Sequence, residues 1–292
     1  MLKSTIFIIG MHRSGTSFLT NIISKSGAFI PTNLVKPSLN DNPEGFFEPA
    51  NAVKINNQIL DSCGSWWADI KPISINDIEF KKLEGIKQSI QAFIEEEYDN
   101  QSKTWVIKEP RLSRTLPLWI DQVKKMGREP VVIICTRHPS LCAKSLFKRN
   151  KIPIEYSMLS WINHTLNAEY ASRSLPRIRT VYGEFFKQPE RYLSALTNVL
   201  REFGVSIEAL SERHEIIKPQ ISKTNGAEPM YDFPLTAMVY KEIIRSGMRM
   251  ENLDHSKMDE MYDSFRILSS KHSRYSNVGP LNLQGDKRAS IA

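Results

Sequence analysis

A six-residue run and the eight-residue loop behind it constrain this chain more than any other stretch. Residues 4–9 read S-T-I-F-I-I, β-branched and aromatic, the composition of a buried strand. Gly10-Met11-His12-Arg13-Ser14-Gly15-Thr16-Ser17 follows, and then Phe18, Leu19, Ile22 and Ile23 recur at helical spacing. Strand, glycine-bounded loop, helix is the layout of a phosphate cradle. Glycines let the backbone curl, loop amides turn inward, and the helix start adds the positive end of its dipole. The spacing matches G-x-x-x-x-G-K-[ST], with Thr16 standing where the lysine belongs. Without that lysine the loop lacks the point charge that grips a β- or γ-phosphate. Arg13 puts a positive charge inside the loop instead. The expectation is a loop that holds a phosphate without hydrolysing ATP.

The bulk numbers set the frame. With 292 residues, 41% hydrophobic and 24% charged, the chain can bury a large core as one domain or two small ones. A net charge of +7 suits an anionic ligand, and the scattered basic residues argue against a nucleic-acid arm. Cys63, Cys135 and Cys142 have no metal spacing and no even-numbered disulfide framework, which fits a reducing compartment. The first strand begins almost at Met1, leaving no room for a signal peptide, and no apolar run nears the roughly 20 residues that span a bilayer. The expected location is cytoplasmic, with no transmembrane segment. Asn163-His164-Thr165 matches a glycosylation sequon inside a predicted helix, where it carries no meaning.

Further along, a loop over residues 27–50 is rich in turn formers and centres on Asn42-Pro43-Glu44-Gly45-Phe46-Phe47-Glu48. A carboxylate there could take the proton of an acceptor hydroxyl. Trp66 and Trp67 form an aromatic pair suited either to packing or to a sugar face. Residues 78–98 predict an amphipathic helix ending in Glu95-Glu96-Glu97, a solvated face. Thr104-Trp105-Val106-Ile107 predicts a strand, and Lys108-Glu109-Pro110-Arg111 its loop, since Pro110 disfavours helix at Glu109. After a helix over 113–126, Val131-Val132-Ile133-Ile134-Cys135 predicts a central parallel strand. It runs into Thr136-Arg137-His138-Pro139-Ser140 and a helix with Pro139 in its first turn; His138 has no second ligand near it and reads as structural. Ser145 stands eight residues after Arg137. A planar guanidinium and a hydroxyl so placed can hold a phosphate dianion. Residues 153–173 predict a helix with Met158, Trp161, Ile162, Leu166 and Tyr170 as a core stripe, followed by a strand over 178–181, then Tyr182-Gly183-Glu184-Phe185. Residues 190–203 predict a helix closed by Gly204, and 235–244 and 258–268 two more. Residues 1–276 are expected to form a single domain and 277–292 a disordered tail.

G-M-H-R-S-G-T-S resembles the 5′-phosphosulfate loop of the sulfotransferases that use 3′-phosphoadenosine-5′-phosphosulfate (PAPS), and Arg137 with Ser145 resembles their 3′-phosphate signature. The resemblance covers residues 4–220. It implies an α/β fold of three layers, α/β/α, with a central parallel sheet, similar to P-loop NTPases. It implies PAPS as cosubstrate, no metal, and sulfuryl transfer to a hydroxyl or amine, leaving PAP. Arg13, Ser14, Gly15, Thr16 and Ser17 would hold the phosphosulfate. K-E-P resembles the K-D-P of tyrosylprotein sulfotransferases and makes Lys108 catalytic beside Arg13. Those enzymes use a glutamate after the loop as base. Bacterial relatives carry a stretch like N-P-x-G-[FYH]-[FW]-E here, so the role falls to Glu48 first, Glu44 second and Glu109 third. The histidine base of the small-molecule enzymes has no counterpart, because Pro110 occupies its position. Tyr182 resembles the nucleotide-contacting tyrosine of Y-E-D-[LM], with Gly183 as a departure, and Lys218 and Lys223 sit where a basic segment closes over the nucleotide. The acceptor would be a glycan, a glycolipid or a small metabolite; Trp66, Trp67, Phe46 and Phe47 lean towards carbohydrate. The rivals are a P-loop kinase or phosphotransferase, which needs a Walker lysine and a Mg²⁺-binding Asp, and an inactive nucleotide-binding relative.

Overall fold

The computed structural model describes residues 3–38, 41–98, 102–217 and 232–271. Strands β1 (Ser4–Ile9), β2 (Thr104–Lys108), β3 (Glu129–Thr136) and β4 (Arg177–Val181) form one parallel sheet in the order β2-β1-β3-β4. Every residue of β1 is buried, as a strand covered on both faces requires. Side-chain alternation divides the core in two. Phe7, Ile9, Trp105, Ile107, Val132 and Ile134 face helices α2 (Ala50–Ser62), α3 (Phe80–Glu97), α4 (Leu112–Lys125), α5 (Pro139–Asn150) and α6 (Ile154–Ala171), and the later helices Pro234–Arg245 and His255–Ser270 join this layer. Ile6, Ile8, Val106, Val131, Ile133 and Ile178 face α1 (Thr16–Ser24), α7 (Pro189–Glu202) and a 3-10 segment, Leu210–Ile216. The expected three-layer α/β/α architecture is present.

The strand order fixes where a ligand can sit. From β1 the chain moves to β2 on one side, then returns to place β3 on the other. The connections leaving β1 and β3 therefore diverge and open a crevice at their carboxyl ends, the position where doubly wound sheets bind ligands. Both stretches that the sequence offers as phosphate-binding candidates lie on these two connections.

Some local expectations change. Glu97 is half-buried and accepts the side-chain amides of Asn33 and Asn51, so only Glu95 and Glu96 of the acidic run face solvent. Tyr170 is 66% exposed and leaves the core stripe that Met158, Trp161, Ile162 and Leu166 do form. Asn163 is fully buried and donates to the Asp69 carbonyl at 2.8 Å, which removes the sequon as an acceptor. Lys218, Lys223 and the tail from residue 277 lie outside the described residues.

Candidate active site at the switch point

The loop after β1 owes its shape to close approach. Gly10 has φ +134°, and a Cβ there would lie 2.4 Å from the Cys135 carbonyl oxygen of β3. Its amide donates to Ser113 Oγ at 2.9 Å, tying the loop to α4. Gly15 has φ +92°, and a Cβ there would lie 2.3 Å from Cδ2 of the buried Tyr182. Arg13 itself takes φ +72°, a conformation non-glycine residues adopt sparingly. Gly15 caps α1 without a side-chain hydrogen bond, so Thr16 and Ser17 open the helix with no side-chain acceptor at its N-cap.

The connection after β3 meets this loop directly. Arg137 Nη1 donates to the Arg13 carbonyl at 3.1 Å, and its guanidinium stands 5.1 Å from the Tyr182 ring centroid. Arg13 Nε donates to Ser145 Oγ on α5 at 2.9 Å. Arg13, Arg137, Ser145 and Tyr182, spread over 170 positions of sequence, thus form one cluster with Gly15. Burial raises the Tyr182 phenol above its ordinary range, so it stays a neutral hydroxyl. Ser14 is buried against Cys142, with Oγ and Sγ 3.5 Å apart. His138 Nδ1 lies 2.8 Å from Ser140 Oγ, and its ring meets that of Tyr240 edge-on.

Lys108, at the end of β2, and Glu48, at the entry to α2, meet as a buried ion pair at 2.6 Å. The ammonium also donates to the Phe46 carbonyl at 2.8 Å and to Ser17 Oγ at 3.2 Å, reaching the first turn of α1. Glu48 is positioned by its backbone, since Val35 donates to its carbonyl at 2.8 Å and Ala50 to that of Asn33 at 2.9 Å. The turn before it needs Gly45 at φ +100°. The two candidate catalytic groups are therefore partners. Each compensates the other in a place where either charge alone would be costly.

The other two glutamates part company with the site. Glu109 is fully buried and accepts from Arg111 Nη1 at 2.6 Å, from the Arg111 amide at 3.1 Å and from Asn56 Nδ2 at 2.7 Å. Asn56 in turn accepts from Thr115 and Trp119. This is a buried polar cluster with three donors on the Glu109 carboxylate. Burial pushes the Glu109 carboxyl up, against the pull of Arg111. Glu44 is exposed on the turn. Of the three candidate bases, Glu48 alone touches Lys108.

Two residues carried no sequence signal. Asp41 accepts from Arg13 Nη1 at 2.6 Å and lies 3.5 Å from Arg149 Nη1, so one carboxylate bridges two arginines at the phosphate loop. It sits among turn formers at no fixed spacing from either partner. His12 lies inside the loop motif and is 5% exposed, with its ring 4.4 Å from that of Trp67. Trp67 and Phe46 are buried, so the aromatic group offers far less open ring surface than its composition suggests. Among the described residues no group of three or more His, Cys, Asp or Glu side chains converges to hold a metal ion, and no helix is long and apolar enough to cross a membrane.

Comparison with known proteins gives the family. A family model described as the sulfotransferase family matches residues 5–201, and the chain belongs to that family. No curated protein matches it. Among solved structures it is similar to the sulfotransferase domain of the Synechococcus PCC 7002 olefin synthase, at 15% identity over 78% of this chain and 86% of that one, with a TM-score of 0.43. It is also similar to the sulfotransferase domain of the curacin biosynthetic pathway, at 17% identity over 83% and 98%, TM-score 0.44. A third, retinol dehydratase in complex with retinol and PAP, is 12% identical over 91% and 82%, TM-score 0.34.

Proposed function

We propose that this sulfotransferase moves a sulfuryl group from PAPS to a hydroxyl of an acceptor, leaving PAP. The observation that carries the reading is the meeting of Arg13, Arg137 and Ser145 at the switch point, three hydrogen-bonding side chains from two connections that diverge around one crevice. The residues fit the nucleotide. Gly10 and Gly15 keep the loop free of side chains where its neighbours press closest. Ser14, Thr16, Ser17 and the opening amides of α1 line the same turn. Arg137 and Ser145 take the 3′-phosphate, Arg13 the 5′-phosphosulfate, and Tyr182 borders the nucleotide next to Gly15. When PAPS is bound it supplies an activated sulfuryl group on a phosphate leaving group. The chain supplies alignment and charge.

Lys108 turns from Glu48 to the sulfonate oxygens and meets the charge that builds as the bond from sulfur to the leaving phosphate oxygen breaks. Glu48, released from its partner, takes the acceptor proton as the new oxygen–sulfur bond forms. No step calls on a metal. The domain spans residues 1–276, and the three free cysteines, buried or half-buried, fit the cytoplasm. Glycans, glycolipids and small metabolites are the acceptor classes.

Calorimetric titration of the purified chain with PAP, and separately with ATP and Mg²⁺, tests the nucleotide. PAP should bind and ATP should not. Arg137→Ala should weaken PAP by about 30-fold, the worth of roughly 2 kcal/mol of charged hydrogen bonding. ATP binding equal to or stronger than PAP binding, indifferent to Arg137, would hand the site to the kinase reading.

A further inference from the structure

His12 is a buried polar group within the loop after β1 that the scheme above leaves idle. Its Nε2 is buried without a hydrogen-bond partner among the described residues, although it belongs to the loop that carries Arg13. Buried ring nitrogens are ordinarily satisfied, and one left bare next to a reaction centre asks for a ligand. Its surroundings say which side of the site it serves. The ring lies against Trp67 at 4.4 Å and edge-on to His164 at 6.1 Å. The charged groups that act on it are Arg111, Arg149 and Lys108, with His164 as the remaining titratable neighbour. Lys108, the last of these cations, is in direct contact with Glu48 at 2.6 Å. Burial and these cations hold the imidazole well below its ordinary pKa, in its neutral form. A neutral imidazole among arginines welcomes a hydroxyl or a carboxylate and repels an ammonium group.

We propose that His12 is an acceptor-binding residue whose Nε2 holds a second polar group of the acceptor, close to the hydroxyl that Glu48 activates. The substrate class is then an alcohol bearing a neighbouring hydroxyl or carboxylate, and a simple alcohol or an amine is disfavoured. This rests on the sulfotransferase reading with Glu48 as base. Access is tied to the donor site, because Arg149 stands 5.5 Å from the Trp67 ring and shares Asp41 with Arg13.

Labelled PAPS offered with 1,2-propanediol, D-glycerate, 1-propanol or 1-aminopropane tests the assignment. The diol and the glycerate should exceed 1-propanol in kcat/KM by about 10-fold, the discrimination expected of one buried hydrogen bond with its desolvation. The amine should be the poorest. His12→Phe, which keeps a ring against Trp67, should erase the preference through KM while PAP affinity stays at the wild-type value. His12→Gln should restore part of the preference. Glu48→Gln should lower kcat for every probe and keep the ranking. A preference that survives His12→Phe, equal use of 1-propanol, or a PAP-binding enzyme that sulfates none of the alcohols would each overturn the assignment. Failure of the wild-type chain to bind PAP would instead strike the underlying reading.

Discussion

At the scale of single residues, the site is a set of charges that hold one another. Lys108 and Glu48 have side chains only 1% and 6% exposed, so their attraction offsets a large desolvation cost. Removing one partner leaves the other charge stranded. Lys108→Ala should cost about 3–5 kcal/mol of unfolding free energy in urea. The double change Glu48→Met with Lys108→Met should recover most of that stability and no transfer activity. Equal stability of Lys108→Ala and the wild type would mean that the pair does not persist in solution. Asp41 poses the opposite case. Its carboxylate lies on Arg13 and Arg149, where an incoming anion must compete with it. Asp41→Asn removes one negative charge from that corner and should tighten PAP by about five-fold, roughly 1 kcal/mol, the Coulomb energy of two unit charges about 4 Å apart under water-like screening. Weaker PAP binding in a calorimeter would show instead that Asp41 orients Arg13.

At the scale of elements, the sheet and the glycine turn after β1 were legible because each is written in a contiguous run. Apolar β-branched stretches gave β1 and β3, and the glycine spacing gave the turn between β1 and α1. What the run does not contain is its partner. Glu48 and Lys108 are 60 positions apart, and their contact depends on β2 lying beside β1, which no local pattern states. Glu109 was a candidate base by position, and α2 presents Asn56 to it, a contact across 53 positions. Tyr170 kept helical spacing with the core stripe but lies beyond the edge of what the neighbouring helices cover. The glycines show the same division between conformation and surroundings. Gly10 and Gly127 both have positive φ, yet a Cβ at Gly127 meets nothing within 4 Å and one at Gly10 meets strand backbone at 2.4 Å. Gly127→Ala should cost about 1 kcal/mol for the left-handed conformation alone. Gly10→Ala must also push β1 from β3, and should cost more than 3 kcal/mol or prevent folding. Comparable urea midpoints for the two variants would refute the close packing of loop on strand.

At the scale of the whole molecule, the buried histidines link the stability of the fold to pH. His164 is fully buried, donates from Nε2 to the Trp67 carbonyl at 2.7 Å, and is pushed down to about 3, chiefly by burial and then by Arg114. His12 shifts in the same direction. An unfolded chain protonates these rings near the ordinary histidine value of about 6.5, while the folded chain resists doing so. Between those limits the unfolded state binds more protons, so stability rises with pH. The contribution is complete above about pH 6.5 and is lost as pH falls towards the folded values. Each ring can impose a slope of up to about 1.4 kcal/mol per pH unit. Glu109 works in the opposite sense, since its raised carboxyl is relieved by acid, and this keeps the net slope below the sum for two histidines. Unfolding free energy from urea titration should therefore drop by about 1–2 kcal/mol between pH 7.5 and pH 5.5. His164→Gln retains a donor for the Trp67 carbonyl and should remove about half of that drop. The two buried histidines would thus make the fold most stable where His12 is neutral. A stability that stays level or rises towards pH 5.5 would show that these rings are already charged in the folded protein, and the acceptor corner would then favour an anion over a hydroxyl.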